Sequence, residues 1–148
     1  AARAVVYALL SVGASVTVAN RTRSRGEALV EEIARRAGAG GNSGGAANSG
    51  ARAVGVEAPE LREGSFDLIV QTTSVGMDGE SEPLPELPLR PGQIAYDIIY
   101  TPVMTPFLKR AAAAGATVIP GDRMFAAQAA EQFDSFLELA NKGSRKLP

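Results

Sequence analysis

The sequence lacks cysteine and histidine altogether among its 148 residues. Without cysteine the chain can form no disulfide, no thiolate nucleophile and no cysteine-based zinc site. Without histidine it has no imidazole for acid–base catalysis and lacks the commonest nitrogen ligand for zinc. Within this chain, these absences exclude structural zinc, thiol chemistry and imidazole chemistry.

An excess of charge of one sign is also absent, since 15 Lys and Arg balance 16 Asp and Glu for a net charge of -1. Nucleic-acid surfaces depend on a basic excess, so we expect no nucleic-acid partner and only a local anion site. No apolar run approaches the roughly 20 residues of a membrane span, and the first residues lack the pattern of a signal peptide. We therefore expect a soluble protein without membrane contact, located in the cytoplasm, or in a plastid if the source is a plant or alga.

Helix patterns alternate with strand patterns along the chain. The helices are predicted at residues 1–10, 23–37, 106–114 and about 123–141, and the strands at 15–19, 51–56, 66–72, 93–100 and 116–120. This alternation predicts parallel strands joined by right-handed crossovers, in a doubly wound α/β sheet of the Rossmann-like class. We expect one domain over residues 1–141 and a tail over 142–148.

Residues 38–50 contain only Gly, Ala, Asn and Ser. Such a segment has too little apolar surface to pack, so it is predicted to be a flexible insertion. Its glycines resemble a phosphate-binding turn, but that turn must follow a strand and open a helix. This segment follows a helix and leads into a strand, so the linker interpretation is favoured.

Ligands of doubly wound sheets bind at the carboxyl ends of the strands. The first such tip carries Asn20, Arg21 and Thr22, with Arg25 one helical turn further on. Arginine forms paired, charge-assisted hydrogen bonds to phosphate, and the start of the next helix adds free N–H groups. Three solvated arginines, at 21, 23 and 25, are the plainer interpretation, but their position after the second strand of an α/β unit favours a site for the 2′-phosphate of NADP.

Two further tips carry smaller signals. Residues 72–77, TTSVGM, offer hydroxyl groups and a glycine that allow a ribose or a flat ring to approach the backbone, although an ordinary turn is the favoured interpretation of this motif alone. Beyond the last strand, Met124 and Gln128 lie four residues apart on one face of a predicted helix. A methionine there is usually a core residue, whereas a polar amide beside an apolar stripe has no packing role.

Taken in order, the motifs NRTRSR, TTSVGM, YDIIYTPVMTPFL and GATVIPGDRMFAAQAAEQF resemble the C-terminal NADP-binding domain of the shikimate dehydrogenases. The resemblance covers nearly all of the chain outside residues 38–50. It implies an NADPH-dependent reduction of 3-dehydroshikimate to shikimate, a step of aromatic amino-acid biosynthesis. The small-molecule substrate would be bound together with a further, N-terminal domain.

The resemblance also implies roles for particular residues. An adenosine-phosphate clamp would consist of Asn20, Arg21, Thr22 and Arg25. Further cofactor contacts would come from Thr72, Thr73, Ser74, Met77, Ile99, Gly121 and Met124, of which Ile99 and Met124 would lie at the nicotinamide and Gly121 at its carboxamide. Tyr100 and Gln128 would contact the substrate.

The sequence departs from the family pattern in several places. Gln71 stands where Asn or Ala is commoner, and GDRMF replaces a more usual Gly-Leu-x-Met-Leu. The first strand with its glycine-rich turn is missing, as is the domain that carries the catalytic Lys and Asp. We therefore expect no catalytic residue in this chain, no activity of the chain alone and poor stability, because the neighbours of the missing strand would have unpaired edges.

Two alternatives remain open. The first is a quinate/shikimate dehydrogenase that uses either cofactor, which the absence of an acidic residue near Arg21 and Arg25 disfavours. The second is a non-catalytic NADP-binding module, for which a missing upstream catalytic domain would be the discriminating observation. The sequence leaves the oligomeric state open.

Overall fold

The computed structural model describes residues 1–38 and 50–144. The chain divides into two compact units, Ala1–Ser65 and Phe66–Pro148. The predicted insertion falls almost entirely on residues 39–49, and the end of the predicted tail on 145–148, both of which lie outside the described residues.

The first unit is a two-stranded parallel sheet with helices. Its elements are α1 (Ala2–Ser11), β1 (Val16–Asn20), α2 (Arg23–Gly38), β2 (Ala51–Gly55) and α3 (Pro59–Glu63). The two strands pair from Val16 with Ala51 to Asn20 with Gly55. The apolar face of α2 packs on both strands and buries Val30, Ile33 and Ala34. These three residues recur at helical spacing, which places them on one face of α2.

Helix α1 is more exposed than its apolar sequence predicts. Only Val6 is buried, whereas 57% of Tyr7 and 79% of Val12 remain exposed. The helix packs by one side on α2 and β1 within the first unit, which also accounts for the Arg3–Glu32 ion pair of 2.8 Å. The apolar composition of α1 thus indicates a helix suited to burial but not what covers it.

The second unit is a three-stranded parallel sheet in the order β3-β4-β5. Its elements are β3 (Leu68–Gln71), β4 (Ile94–Asp97), α4 (Pro106–Ala113), β5 (Thr117–Ile119) and α5 (Asp122–Ser144). Helix α4 begins as its sequence predicts, with Pro106 in the first turn and the Thr105 hydroxyl accepting a hydrogen bond from the Leu108 amide. A buried cluster of Ala95, Phe107, Leu108 and Ala111 forms the core.

Strands β3 and β4 are connected without a helix, by residues 72–93. This proline-rich connection is held by Arg110 of α4, which donates hydrogen bonds to the Leu84 and Leu87 carbonyl oxygens and pairs with Glu82. The parallel α/β class is confirmed, but the described strands pair as two separate sheets rather than as one doubly wound sheet. Among the described residues, β1 and β3 are each hydrogen-bonded to a strand on one side only.

A buried polar pair joins the end of β4 to the start of α4. Asp97 and Thr105 are both fully buried, and the Asp97 carboxylate accepts hydrogen bonds from the Thr105 hydroxyl at 2.7 Å and the Ile99 amide at 2.9 Å. Burial raises the pKa of Asp97 above its ordinary value of 3.8, although both hydrogen bonds act in the opposite direction. Protonation of Asp97 thus favours the folded state, and this contribution decreases as the pH rises through the native pKa.

Gly121, between β5 and α5, lies directly against the backbone that follows β4. Its amide donates to the Ile99 carbonyl at 3.2 Å. A Cβ atom at this position would lie 2.4 Å from the Ile98 carbonyl carbon and oxygen and 2.6 Å from the Ile99 oxygen. Since these are backbone atoms, no side-chain rotation can make room, and only glycine fits.

We expect Gly121→Ala to destabilise the protein by about 1–3 kcal/mol, the cost typical of forcing extra volume into a packed site. The midpoint and slope of denaturant unfolding would measure the change. Gly55→Ala, made in the same protein, is the control, because a Cβ at Gly55 would meet no atom within 4 Å. Equal unfolding midpoints for the two variants would contradict the proposed backbone contact.

Candidate functional site

In the first unit, the candidate site is the junction between β1 and α2. Asn20 is the last residue of β1, and its side-chain oxygen accepts a hydrogen bond from the Thr22 amide at 2.9 Å. Helix α2 begins at Arg23, so Thr22 stands at the N-cap position as predicted. The junction therefore combines a tight polar turn with the positive end of a helix dipole.

The three arginines at this junction are not equivalent. Arg23 forms an ion pair with Glu27 one turn further along α2, at 2.8 Å. Arg21 and Arg25 are exposed, and neither side chain forms a hydrogen bond or an ion pair with any residue that the structure describes. Two guanidinium groups are thus available for an anion, while the third is already neutralised.

In the second unit, three of the predicted segments meet at the carboxyl ends of the strands. A Cβ built on Gly76, whose φ is +107°, would lie 3.6 Å from the Ile99 side chain. Gly121 in turn touches Ile98 and Ile99 through backbone atoms. Ile99 therefore lies between the 72–77 loop and the start of α5.

The 72–77 loop is held by the side chain of Gln71, which is 6% exposed at the end of β3. The Gln71 amide nitrogen donates to the Val75 carbonyl at 2.8 Å and to the Thr73 carbonyl at 3.2 Å, and its oxygen accepts from the Thr73 amide. The Thr73 hydroxyl also accepts from the Val75 amide at 3.2 Å. These bonds leave Thr73, Ser74 and Met77 exposed to solvent.

The residues on either side of Gly121 differ in exposure. Ile99 is only 5% exposed, so little of its side chain is available to a ligand. Tyr100 is half exposed and stacks on Phe125 of α5, with ring centroids 4.6 Å apart. On the same helix Met124 is half-buried and Gln128 is exposed.

The loop that follows Met77 contains one perturbed carboxyl group. The Ser81 hydroxyl, together with the Ser81 and Glu80 amides, donates to Asp78 and lowers its pKa from 3.8 to about 2. Asp78 is fully exposed, and its bonds close a local turn. We therefore assign it a role in loop geometry rather than in proton transfer.

No cluster of three or more potential metal ligands occurs in residues 1–38 and 50–144. Over the same ranges, none of the helices combines the length and the apolar character that crossing a bilayer requires. The described tips present cations, hydroxyl groups, exposed apolar side chains and backbone polar groups. In the first unit the tip offers cations to an anion, and in the second unit the tips offer hydroxyl groups and exposed apolar side chains to a ligand.

The sequence indicated three strand tips as candidate sites but not the hydrogen bonds of Gln71 to the 72–77 loop. The position of Gln71 near the end of the predicted strand 66–72 was visible, and so was its difference from the family pattern. The three hydrogen bonds that it makes to the following loop depend on the loop conformation, for which the sequence has no local signal.

No protein-family model matches the chain. Among curated proteins, it is 38% identical over 135 residues to the shikimate dehydrogenase (NADP(+)) of Methanocella arvoryzae, covering 90% of this chain and 46% of that protein. A similar relative from Haloarcula marismortui is 36% identical over 134 residues, covering 90% of this chain and 45% of that protein. The chain thus spans about half the length of the curated relatives it matches.

Two solved structures resemble the fold. Shikimate 5-dehydrogenase from Thermus thermophilus, in complex with NADP(H) and shikimate, is 37% identical with a TM-score of 0.67, over 88% of this chain and 42% of that one. Quinate dehydrogenase from Corynebacterium glutamicum, in complex with NAD, is 27% identical with a TM-score of 0.62, over 82% of this chain and 41% of that one. The order of the motifs, the parallel α/β fold and the sequence identity over 90% of the chain agree. The chain therefore belongs to the shikimate dehydrogenase family.

Proposed function

We propose that this chain is the NADP-binding part of a shikimate dehydrogenase that reduces 3-dehydroshikimate to shikimate. NADPH, when bound, would supply the hydride. The observation that carries the proposal is the pair of exposed guanidinium groups of Arg21 and Arg25 at the end of β1, which have no partner among the described residues. The family resemblance of the other strand ends supports it.

The charges around β1 favour NADP over NAD. An acidic side chain at this position accepts hydrogen bonds from the adenosine ribose in NAD-binding proteins, and it would repel a 2′-phosphate. Here the strand ends in the neutral Asn20, and the nearest acid of α2, Glu27, is paired with Arg23. Arg21, Arg25 and the Thr22 hydroxyl would hold the phosphate, at the positive end of the α2 dipole.

Arg21→Ala combined with Arg25→Ala is expected to weaken NADPH binding at least tenfold and to change NADH binding by less than about twofold. Hydrogen bonds to charged groups contribute about 1.5–3 kcal/mol, and about 1.4 kcal/mol corresponds to a factor of about ten. Titration calorimetry on the longer protein that the proposal implies would measure both dissociation constants.

Arg23→Ala is the matched control, since it removes the same kind of side chain from the same helix turn but one that is paired with Glu27. It should leave the preference for NADPH unchanged. An unchanged preference in the double variant, or equal binding of both cofactors by the unaltered protein, would refute the phosphate clamp.

The segments of the second unit would hold the remainder of the cofactor and the substrate. In this proposal Thr72, Thr73, Ser74 and Met77 line the cofactor, with Ile99, Gly121 and Met124 near the nicotinamide. Tyr100 and Gln128 face the substrate. The exposure of Thr73, Ser74 and Met77 supports such contacts, whereas the burial of Ile99 leaves mainly its backbone to take part.

Gln128→Ala is expected to raise the KM for 3-dehydroshikimate about tenfold, the effect of losing one hydrogen bond of about 1–1.5 kcal/mol. The KM for NADPH should stay within about twofold. Gln132→Ala is the control, because Gln132 is another exposed glutamine one turn further along α5. A larger effect of Gln128→Ala on NADPH than on the substrate would remove Gln128 from the substrate site.

The strand pairing supports the proposal that this chain is part of a larger fold. In the order 3-2-1-4-5-6, strands two and three are neighbours, as are strands four, five and six. The pairing within each unit, β1 with β2 and β3-β4-β5, is the pairing expected within these two groups, and β1 and β3 each have an edge without a described partner. We propose that this strand, its glycine-rich turn and the catalytic Lys and Asp belong to residues outside this sequence, so that the chain alone is inactive.

The 148-residue chain is therefore expected to unfold at low denaturant and without a sharp transition, because each buried unsatisfied group costs about 1–3 kcal/mol. Circular dichroism during urea unfolding would test this, with the longer protein as the reference. A cooperative transition of the isolated chain at a denaturant concentration equal to that of the longer protein would contradict the missing-strand proposal.

Two other functions are distinguishable from this one. The likeness to an NAD-bound quinate dehydrogenase favours a relaxed enzyme, which would bind NADH and NADPH with similar affinity. A non-catalytic NADP-binding module would keep the preference for NADPH but show no turnover in the longer protein. Arg21 and Arg25 argue against the first, and the coenzyme assays above separate it from the main proposal.

A further inference from the structure

Two buried polar side chains stand opposite each other at the ends of neighbouring strands in the second unit. Gln71 ends β3, Asp97 ends β4, and the two are register partners in the parallel pair. Gln71 is 6% exposed and Asp97 is fully buried. Buried polar groups cost free energy unless they are hydrogen-bonded. The hydrogen bonds of these two side chains therefore indicate which segments they stabilise.

All three hydrogen bonds of the Gln71 side chain go to the loop that follows β3. Its amide group reaches Thr73 and Val75, both of which belong to the 72–77 loop. A shorter asparagine at this position could accept from the Thr73 amide, as asparagine commonly does two residues along the chain, but would not reach Val75. The additional methylene group of glutamine therefore allows its amide to bond to Val75 as well as to Thr73.

Asp97 acts in the same way on the segment after β4. One of its carboxylate oxygens accepts from the Ile99 amide and the other from the Thr105 hydroxyl. The Ile99 carbonyl then accepts from the Gly121 amide at the start of α5. The two strand ends are also joined directly, because the Ile98 amide donates to the Gln71 carbonyl at 3.1 Å.

A second buried glutamine in the same unit provides an internal comparison. Gln93 is 4% exposed and makes two hydrogen bonds, from its amide nitrogen to the Phe66 carbonyl and from the Arg90 amide to its oxygen. Gln93 precedes β4, at the amino end of the sheet, away from the strand ends that carry the candidate ligand residues. It matches Gln71 in residue type and burial, and its side chain is likewise hydrogen-bonded to backbone groups, but it differs in position.

We propose that Gln71 and Asp97 are positioning residues, which fix the 72–77 loop and the Ile98–Tyr100 segment in the conformation that binds cofactor and substrate. The role rests on the proposed function for its ligands, but the hydrogen bonds that define it belong to the chain itself. Neither residue touches a ligand in this proposal. Each acts through the backbone that it holds.

Gln71→Leu and Gln93→Leu, made in the longer protein, test the proposal. Both remove a buried amide of the same kind, so both should lower the unfolding midpoint to a similar extent. Only Gln71→Leu should also raise the KM for NADPH, by about tenfold or more, with Gln93→Leu remaining within about twofold. Gln71→Asn should recover part of the loss, because it keeps the Thr73 bond.

Asp97 is tested by the pair Asp97→Leu and Asp97→Asn. The asparagine oxygen can still accept from the Ile99 amide, so Asp97→Asn should keep the KM for 3-dehydroshikimate within about threefold. Asp97→Leu removes that bond and should raise this KM about tenfold or more, through the displacement of Tyr100. If Asp97→Leu does not fold, Asp97→Asn decides the matter, since rapid exchange of the Ile99 amide in that variant together with an unchanged KM for 3-dehydroshikimate would overturn the role of Asp97.

Amide hydrogen exchange provides a measurement that needs no ligand. Gln71→Leu should accelerate exchange at Thr73 by about tenfold or more, whereas Gln93→Leu should accelerate it at Arg90 and leave Thr73 unchanged. If the unaltered protein fails to bind NADPH, the proposed function fails, and the exchange rates alone decide whether Gln71 fixes the loop. If Gln71→Leu and Gln93→Leu alter ligand binding equally, or if Thr73 exchange is unchanged, the positioning role is overturned.

Discussion

The buried hydrogen bond between Asp97 and Thr105 is the contact on which the geometry of the second unit depends. It fixes the end of β4 relative to the first turn of α4, and the same two side chains also bind the Ile99 and Leu108 amides. The position of Ile99 then determines where Gly121 can lie, because the two backbones are in direct contact. One polar pair thus orders a helix start, a loop and the entry to α5, at a desolvation cost that its hydrogen bonds offset only in part.

The junction in the first unit depends on a different kind of constraint. Its three arginines are all exposed, and they differ in ion pairing rather than in burial. The Arg23–Glu27 pair is a surface ion pair of the kind that contributes little to stability, but it leaves the neighbouring Arg21 and Arg25 as the uncompensated charges. Selectivity for an anion can therefore be set on a chain whose net charge is close to zero.

The local elements of this fold could be predicted from sequence, and their assembly could not. The apolar runs of β3 and β4, and the Thr105–Pro106 start of α4, are signals contained within a few residues. The division into two sheets depends on which strands are present to pair, and the exposure of α1 depends on what covers it. Among the candidate site residues, the sequence indicated which residues follow each strand. It did not indicate the burial of Ile99 or the hydrogen bonds of Gln71 to its loop, because both arise from contacts between segments.

The stack of Tyr100 on Phe125 has an optical consequence. The chain contains three tyrosines and no tryptophan, so its ultraviolet emission comes from tyrosine alone. One of these three rings, on the segment that connects β4 to α4, lies 4.6 Å from an aromatic ring of α5. A rearrangement of that segment would therefore change the surroundings of one of the three tyrosine rings. The change in tyrosine emission could be observed without an introduced label and without overlapping tryptophan emission.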